Sequence, residues 1–220
     1  YGAGSHPDVE AVLSAALATI ESANASIVDN IELDMTGVSD AEYSVLLYEF
    51  KADLAAYLER TAAPYRTLDE LIAFNDANAD TVMPHFGQEV FLAANATGGL
   101  DEPAYAEALA NSRGVARRVL DEAFDAHGVD TLIAITNGPA WMTDHVNGDS
   151  FGIGSSSFAA ISGYPSVTVP AGFVAGLPVG VTFIGRPWTE ERLIGIAYAF
   201  EQASRARRAP ELPADAEKSR

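Results

Sequence analysis

Apolar residues recur at helical spacing along the first half of the chain and in short continuous or alternating runs along the second. Val9, Val12, Leu13, Ala16, Leu17 and Ile20 form one stripe behind Pro7, which fits a first helical position, and Asp8 and Glu10 complement the positive helix start. Ser26 to Leu33 turns to β-branched residues and predicts a strand. Ser39-Asp40-Ala41-Glu42 has the form of a capping box, in which serine accepts from free amides while glutamate reaches back. The helix it opens carries Tyr43, Leu46, Leu47, Phe50, Leu54, Tyr57 and Leu58 on one side. Thr67-Leu68-Asp69-Glu70 repeats the device before Leu71, Ile72 and Phe74, and Pro84 must end or kink that helix by Met83. Asp101, with Pro103 in the first turn, opens a long helix marked by Tyr105, Leu109, Ser112, Val115, Val119 and Phe124 and closed by His127 and Gly128.

Beyond Gly128 the pattern shortens. Asp130 to Thr136 is a continuous apolar run, as a buried strand requires, and it empties into the turn-rich Asn137-Gly138-Pro139-Ala140-Trp141. Ser157 to Ser162 predicts a short helix ended by Gly163. Ser166–Val169 and Val179–Ile184 alternate as strands, and their nine-residue connection is too short for a helical crossover. They are therefore antiparallel neighbours. Thr189 is the expected cap of a last helix with Glu190 and Glu191 in its first turn and Leu193, Ile194, Ala197 and Phe200 as its buried stripe. From Ala209 on, proline, charge and small residues predict a disordered tail. The expected class is α/β, a mixed β-sheet covered by helices, with one domain over residues 1–208 and a tail over 209–220. A helix, loop and strand at the very start imply that a preceding strand lies outside the chain.

Composition narrows the partners. Against 13 basic residues stand 31 acidic ones, for a net charge of −18, which argues against phosphate-rich nucleic acid and anionic membranes. A 48% hydrophobic content without a long apolar run fits a globular chain with no transmembrane span. No cysteine is present, so there is no disulfide frame and no thiolate metal site. That leaves the compartment open, with the cytoplasm as the expectation, and nothing at the N-terminus reads as a leader.

Candidate chemistry is sparse. Gly152-Ile153-Gly154-Ser155-Ser156-Ser157 with Asp144-His145 upstream raises a serine triad, but no glycine follows the serines as a nucleophile elbow requires. The stretch reads instead as a Gly/Ser loop serving the amides of a helix start. Lys51, in an acid-rich helix, and Lys218 read as solvated charges. His6, His85, His127 and His145 lack metal-ligand spacing. Gly2-Ala3-Gly4 could cradle a phosphate, yet such glycines at a helix entry are commonly turns.

Linked motifs in fixed order carry a family resemblance. Gly163-Tyr164-Pro165, Pro170-Ala171-Gly172-Phe173, Gly176-Leu177-Pro178-Val179-Gly180 and Gly185-Arg186-Pro187 resemble the C-terminal end of amidase signature enzymes, which hydrolyse carboxamides. The segment from Thr67 to Glu89 is similar to one in a branch that includes peptide amidases. The resemblance implies an incomplete C-terminal part of the amidase signature fold. It also implies a Ser-Ser-Lys triad lying outside this chain, because the family's Gly-Gly-Ser-Ser-Gly-Gly signature is absent and no lysine is placed to act as base. No catalytic residue is therefore assigned, and the implied reaction needs no cofactor. The expected partners are the missing N-terminal portion of the same amidase, a small-molecule or peptide amide, and a second copy through exposed sheet edges. Asn137, Trp141, Phe151, Ser155, Ser156 and Ser157 are the expected substrate-binding residues, converging on one concavity at the end of the Asp130–Thr136 strand. The rival readings are a non-catalytic binding domain on the same scaffold and a self-sufficient serine hydrolase using Ser155–Ser157 with His145.

Overall fold

The computed structural model describes residues 6–29 and 31–210; Gly2-Ala3-Gly4, Lys218 and the residues beyond Pro210, expected as a tail, lie outside them. Helix α1 (Pro7–Ser22) starts on proline with Asp8 and Glu10 in its first turn. It lays Val9, Val12, Leu13, Ala16 and Ile20 against the sheet. The strand expected over Ser26–Leu33 does not form among the described residues. Its alternating residues Ile31 and Leu33, with Met35, pack instead against the cluster of Leu120, Phe124, Leu132, Phe158, Tyr164 and Ile184, so the apolar alternation is satisfied by side-chain burial rather than by strand pairing.

Helix α2 (Val38–Arg60) begins earlier than the Ser39 capping box requires. Gly37 sits in the left-handed region at φ 78°, the Val38 amide donates to Met35 O at 3.1 Å, and Val38 is buried, so a glycine turn and an apolar anchor start the helix. Ser39 makes no cap bond. At α3 (Leu68–Ala77) the expected box is present: the Glu70 amide donates to Thr67 Oγ1 at 3.3 Å and the Thr67 amide to Glu70 Oε2 at 3.1 Å. Helix α4 (Ala79–Val82) stops at Met83, ahead of Pro84, and α5 (Glu89–Asn95) follows. Glu102, not Asp101, is the cap residue of α6 (Pro103–Leu109), without a side-chain bond. A π-helical turn at Ala110–Gly114 joins α6 to α7 (Val115–His127), and left-handed Gly128 closes α7 by donating to Phe124 O at 2.9 Å.

Strands β1 (Leu132–Ile135), β2 (Ser166–Val174) and β3 (Leu177–Ile184) form a three-stranded sheet in the order β1-β3-β2. The pairing expected to be mixed is antiparallel throughout among the described residues, Leu132 and Ser166 both facing Ile184 in register. The nine-residue connection shrinks to a two-residue turn at Ala175-Gly176, both with positive φ (49° and 82°), the signature of a type I′ hairpin. The Pro170-Ala171-Gly172-Phe173 motif also gains a physical reading. A register shift between Pro170 and Gly172 marks a bulge, and a Cβ on Gly172 would sit 3.1 Å from the methyls of Val12, so glycine lets α1 close on the strand.

One sheet face carries Ile135, Val169, Val179, Val181 and Phe183 against α1 and α9 (Glu190–Ser204). The other carries Leu132 and Ile184 against Phe124 and Leu120 of α7, Phe158 of α8 (Ser156–Ser162) and Tyr164. Thr189 precedes α9 but donates its hydroxyl to Arg186 O at 2.7 Å rather than capping a free amide, and Ile194 is 59% exposed rather than part of the buried stripe. Arg186, the centre of Gly185-Arg186-Pro187, stands 4.8 Å from the Phe124 ring and pairs with Asp121 and Asp125. That motif fastens the end of β3 to α7. Among the described residues no helix is long and apolar enough to cross a membrane.

Candidate functional site

At the end of β1 the Thr136 amide still pairs with Gly180 O at 2.9 Å, and the chain then leaves the sheet's rim. The returning Gly/Ser loop is stitched to this exit. Asn137 and Gly154 form an isolated antiparallel bridge, the Gly138 amide donates to Ile153 O at 3.2 Å, and the Ser155 amide donates to Thr136 O at 3.1 Å. The two loops thus lie side by side, as their sequence positions predict. A Cβ on Gly154 would stand 2.9 Å from Asn137 Oδ1 and 2.7 Å from the Phe151 ring, so the close approach needs glycine. Trp141 and Phe151 meet edge to face with centroids 6.1 Å apart, and Trp141 Nε1 donates to Asp149 Oδ1 at 3.1 Å. Phe151 is 62% exposed, which makes the pair an outward aromatic wall beside the Asn137 amide.

The three serines separate. Ser156 and Ser157 are exposed at the start of α8, whereas Ser155 is 1% exposed with its hydroxyl unpartnered. At that burial Ser155 is not on an open surface, unlike the expected substrate-lining position. From the exit of β1 a row of hydroxyls crosses β3 to β2: Thr136 Oγ1 lies 2.7 Å from Thr182 Oγ1, which lies 3.0 Å from Thr168 Oγ1. No spacing in the sequence announces this row, because it depends on register between distant strands.

The self-sufficient triad has no geometry behind it. The Asp144 carboxylate accepts from the amides of Val146 and Asn147 at 2.8 and 2.9 Å and from Asn147 Nδ2 at 2.7 Å. These bonds, the Asn147 amide first, hold its carboxyl below the usual carboxylate range. His145 turns away from the serines: its ring lies 3.9 Å from that of His85 and stands at 90° to Phe86 at 5.8 Å. Among the described residues no hydrogen bond joins His145 to Ser155, Ser156 or Ser157. The sequence did not connect His85 with His145, which sit in loops far apart along the chain.

Lys51 is not the freely solvated charge that its helix predicts. It is half-buried and donates from Nζ to Asn95 O at 2.9 Å and Thr97 O at 2.5 Å, closing the C-terminal end of α5. Among the described residues no group of three or more His, Asp or Glu could hold a metal ion.

The family model described as Amidase matches residues 2–194. The chain belongs to the amidase family. A probable amidase of Arabidopsis thaliana is 35% identical over 188 residues, 84% of this chain and 33% of the plant protein. The native peptide amidase from Stenotrophomonas maltophilia matches with a TM-score of 0.87 at 41% identity, covering 94% of this chain and 42% of that one. The peptide amidase PAM in complex with the competitive inhibitor chymostatin gives 0.89 at 42% identity, with 94% and 42% coverage. This amidase chain thus spans between a third and a little over two-fifths of the length of these relatives, and it carries part of the amidase signature fold.

Proposed function

We propose that this chain is the C-terminal portion of an amidase that hydrolyses a carboxamide to a carboxylate and ammonia, and that it supplies scaffold and pocket wall to that reaction. The observation that carries the reading is the stitched pair of loops, which sets the Asn137 amide beside the Trp141–Phe151 wall at the sheet's rim. Ligand crevices of α/β folds form at such strand ends. Asn137 offers both a donor and an acceptor to a carboxamide, and the two rings exclude water from one side of it.

The family resemblance implies the rest of the chemistry from outside the chain. A serine Oγ attacks the amide carbon, the lysine-served proton relay passes a proton to the departing nitrogen, and ammonia leaves. Water then attacks the acyl-enzyme, freeing the carboxylate and restoring the serine. The likeness to peptide amidase favours a peptide amide as substrate. The partner is the N-terminal portion of the same amidase, which would cover the outer edges of β1 and β2; among the described residues each pairs with β3 alone. Self-association of this chain by itself is expected from the same free edges.

Ammonia release from a peptide amide tests the proposal. The whole protein should hydrolyse it, and the mass-verified 220-residue chain alone should not exceed the buffer rate. Activity of the chain alone, lost on Ser156→Ala, would overturn the reading in favour of a self-sufficient serine hydrolase. Trp141→Ala in the whole protein should change the ranking of amide substrates while moving stability by less than about 1 kcal/mol, because the ring is already 39% exposed.

A further inference from the structure

Residues 31–35 keep the burial rhythm of a β-strand. Ile31, Leu33 and Met35 are half-buried, whereas Glu32 and Asp34 between them are exposed. A period of two belongs to a strand lying with one face on a core. The three apolar side chains pack against the cluster that joins Leu120 and Phe124 of α7 to Leu132 of β1 and Ile184 of β3. Those contacts fix which face points inward. Among the described residues, however, no backbone-to-backbone hydrogen bond joins 31–34 to a strand. The local bond runs from the Thr36 amide to Asp34 Oδ1 at 3.0 Å and uses a side chain. Side-chain anchoring without a ladder leaves a row of amides and carbonyls set for pairing.

The elements around the segment say what would pair with it. It follows α1, whose 16 residues lie on the opposite face of the sheet. A helix of that length on a sheet, followed by a strand, is the second part of a βαβ unit, whose two strands run parallel. This chain matches 42% of the peptide amidase chain, so a protein of that length has ample further sequence for the first strand. A second copy fits the edge poorly. Two such segments side by side would set Glu32 and Asp34 of one against those of the other, on chains that each carry a net charge of −18.

We propose that residues 31–35 are the docking edge for one β-strand of the N-terminal portion, the strand that leads into α1, paired in parallel; the proposal rests on the reading above of this chain as the C-terminal portion of an amidase. The two faces of the segment set the chemistry of that strand. Toward α7 it carries apolar residues, which extend the cluster at Ile31 and Leu33. On the other face it carries lysine, arginine or hydroxyl residues beside Glu32. Docking here also bears on the candidate site. Leu132, in the cluster under Ile31 and Leu33, opens β1, and the far end of β1 leads to Asn137. The portion that brings the serine and lysine is thereby fastened to the strand that carries the rim.

Hydrogen exchange of the whole protein and of the 220-residue chain tests this. Amides of 31–35 should exchange at least about a hundredfold more slowly in the whole protein, and at nearly the rate of an unstructured segment in the chain alone. Glu32→Pro should lower the urea midpoint of the whole protein and leave that of the chain alone unchanged, because only a paired strand loses a bond to proline. Equal exchange in the two proteins, or an equal change of both midpoints, would overturn the pairing. Slow exchange at 31–35 in the chain alone, together with a dimer mass, would overturn it in favour of a second copy. Neither measurement needs turnover. A whole protein that hydrolyses no amide would therefore overturn the amidase reading, while the exchange still decides the docking edge.

Discussion

In the sheet layer Val9, Ile135, Val181, Phe183, Leu193 and Phe200 close on one another, each almost wholly removed from water, whereas α2 and α3 leave Tyr43, Leu46, Tyr57 and Phe74 between about a third and a half exposed. Among the described residues the helical region buries less: Leu68, Ile72 and Ala94 form a small cluster with Leu47, Leu54 and Phe91 packed partly against it, and α2 adds Val38, Val45 and Leu58. Polar bonds between its helices make up part of the difference. Lys51 closes α5, Tyr48 donates to Glu102 at 2.9 Å, Tyr105 donates to Glu49 at 2.7 Å, and Asn95 donates to Asp69 at 2.6 Å. The sheet layer thus rests on area removed from water, and the helical region rests more on individual bonds whose loss has local consequences. The candidate site stands on the first.

Equal truncations in the two regions should separate them most. Phe183 meets Phe200 edge to face at 5.7 Å in the closed core, and Phe183→Ala should cost about 3–5 kcal/mol. Phe91, half-buried against Phe50 at 5.4 Å, should cost about half as much on the same change. Urea midpoints measure both, and equal losses would mean that the helical region has a core of the same kind.

Lys51→Met comes next. It keeps the length of the side chain but strands two half-buried carbonyls, at an expected cost of about 1–3 kcal/mol. Amide exchange should quicken across α5 and the 95–99 turn while β3 keeps its protection. Uniform quickening over the whole chain would contradict the local character of the bond.

Tyr164→Phe probes the sheet side through pH. Burial, then the hydroxyl's bond to Asp121 Oδ1 at 2.8 Å, pushes the phenol from its ordinary 10.0 up to about 12. The unfolded chain releases this proton first. The stability contributed by the neutral hydroxyl is therefore complete below pH 10 and is lost as pH rises through about 12. Wild type should exceed the variant by about 1 kcal/mol at pH 7–9, and the gap should narrow above pH 10. A gap constant to pH 12 would show that Tyr164 does not titrate in that window.

Local chemistry made α1, α3, α7 and β1 legible, because proline, a reciprocal Thr67–Glu70 box, a closing Gly128 and an unbroken apolar run each act within a few residues. The two loops of the site were legible for the same reason, as the exit of one strand and the glycines of another loop. Tertiary context hid the rest. Ile31 and Leu33 alternate like a strand but pack by their side chains on a cluster drawn from distant helices and strands, and Ser39 looks like a cap where Gly37 has already started the helix. Ser155 and Ser156 are neighbours of one residue type, yet the fold buries the first and exposes the second, and the contact of His85 with His145 depends on two distant loops folding together.

The hairpin turn gives the smallest and most selective test. Read along the sequence, Pro170 to Pro178 looks like a loose connection, and a substitution inside a loose loop would change stability little. In the folded chain Ala175 is held at φ 49° inside a two-residue turn, where its Cβ crowds the following carbonyl. Asparagine tolerates that region, and Asn-Gly is the favoured pair for a type I′ turn. Ala175→Asn should therefore raise stability by about 0.5 kcal/mol, seen as a higher urea midpoint and slower exchange of the β2 and β3 amides. Exchange across α5 should stay as it was, because the helical region gains nothing from a better turn. A matching rise in α5 would mean that sheet and helices open as one unit, and the contrast between them would then describe packing alone. No rise anywhere would put Ala175 outside the turn.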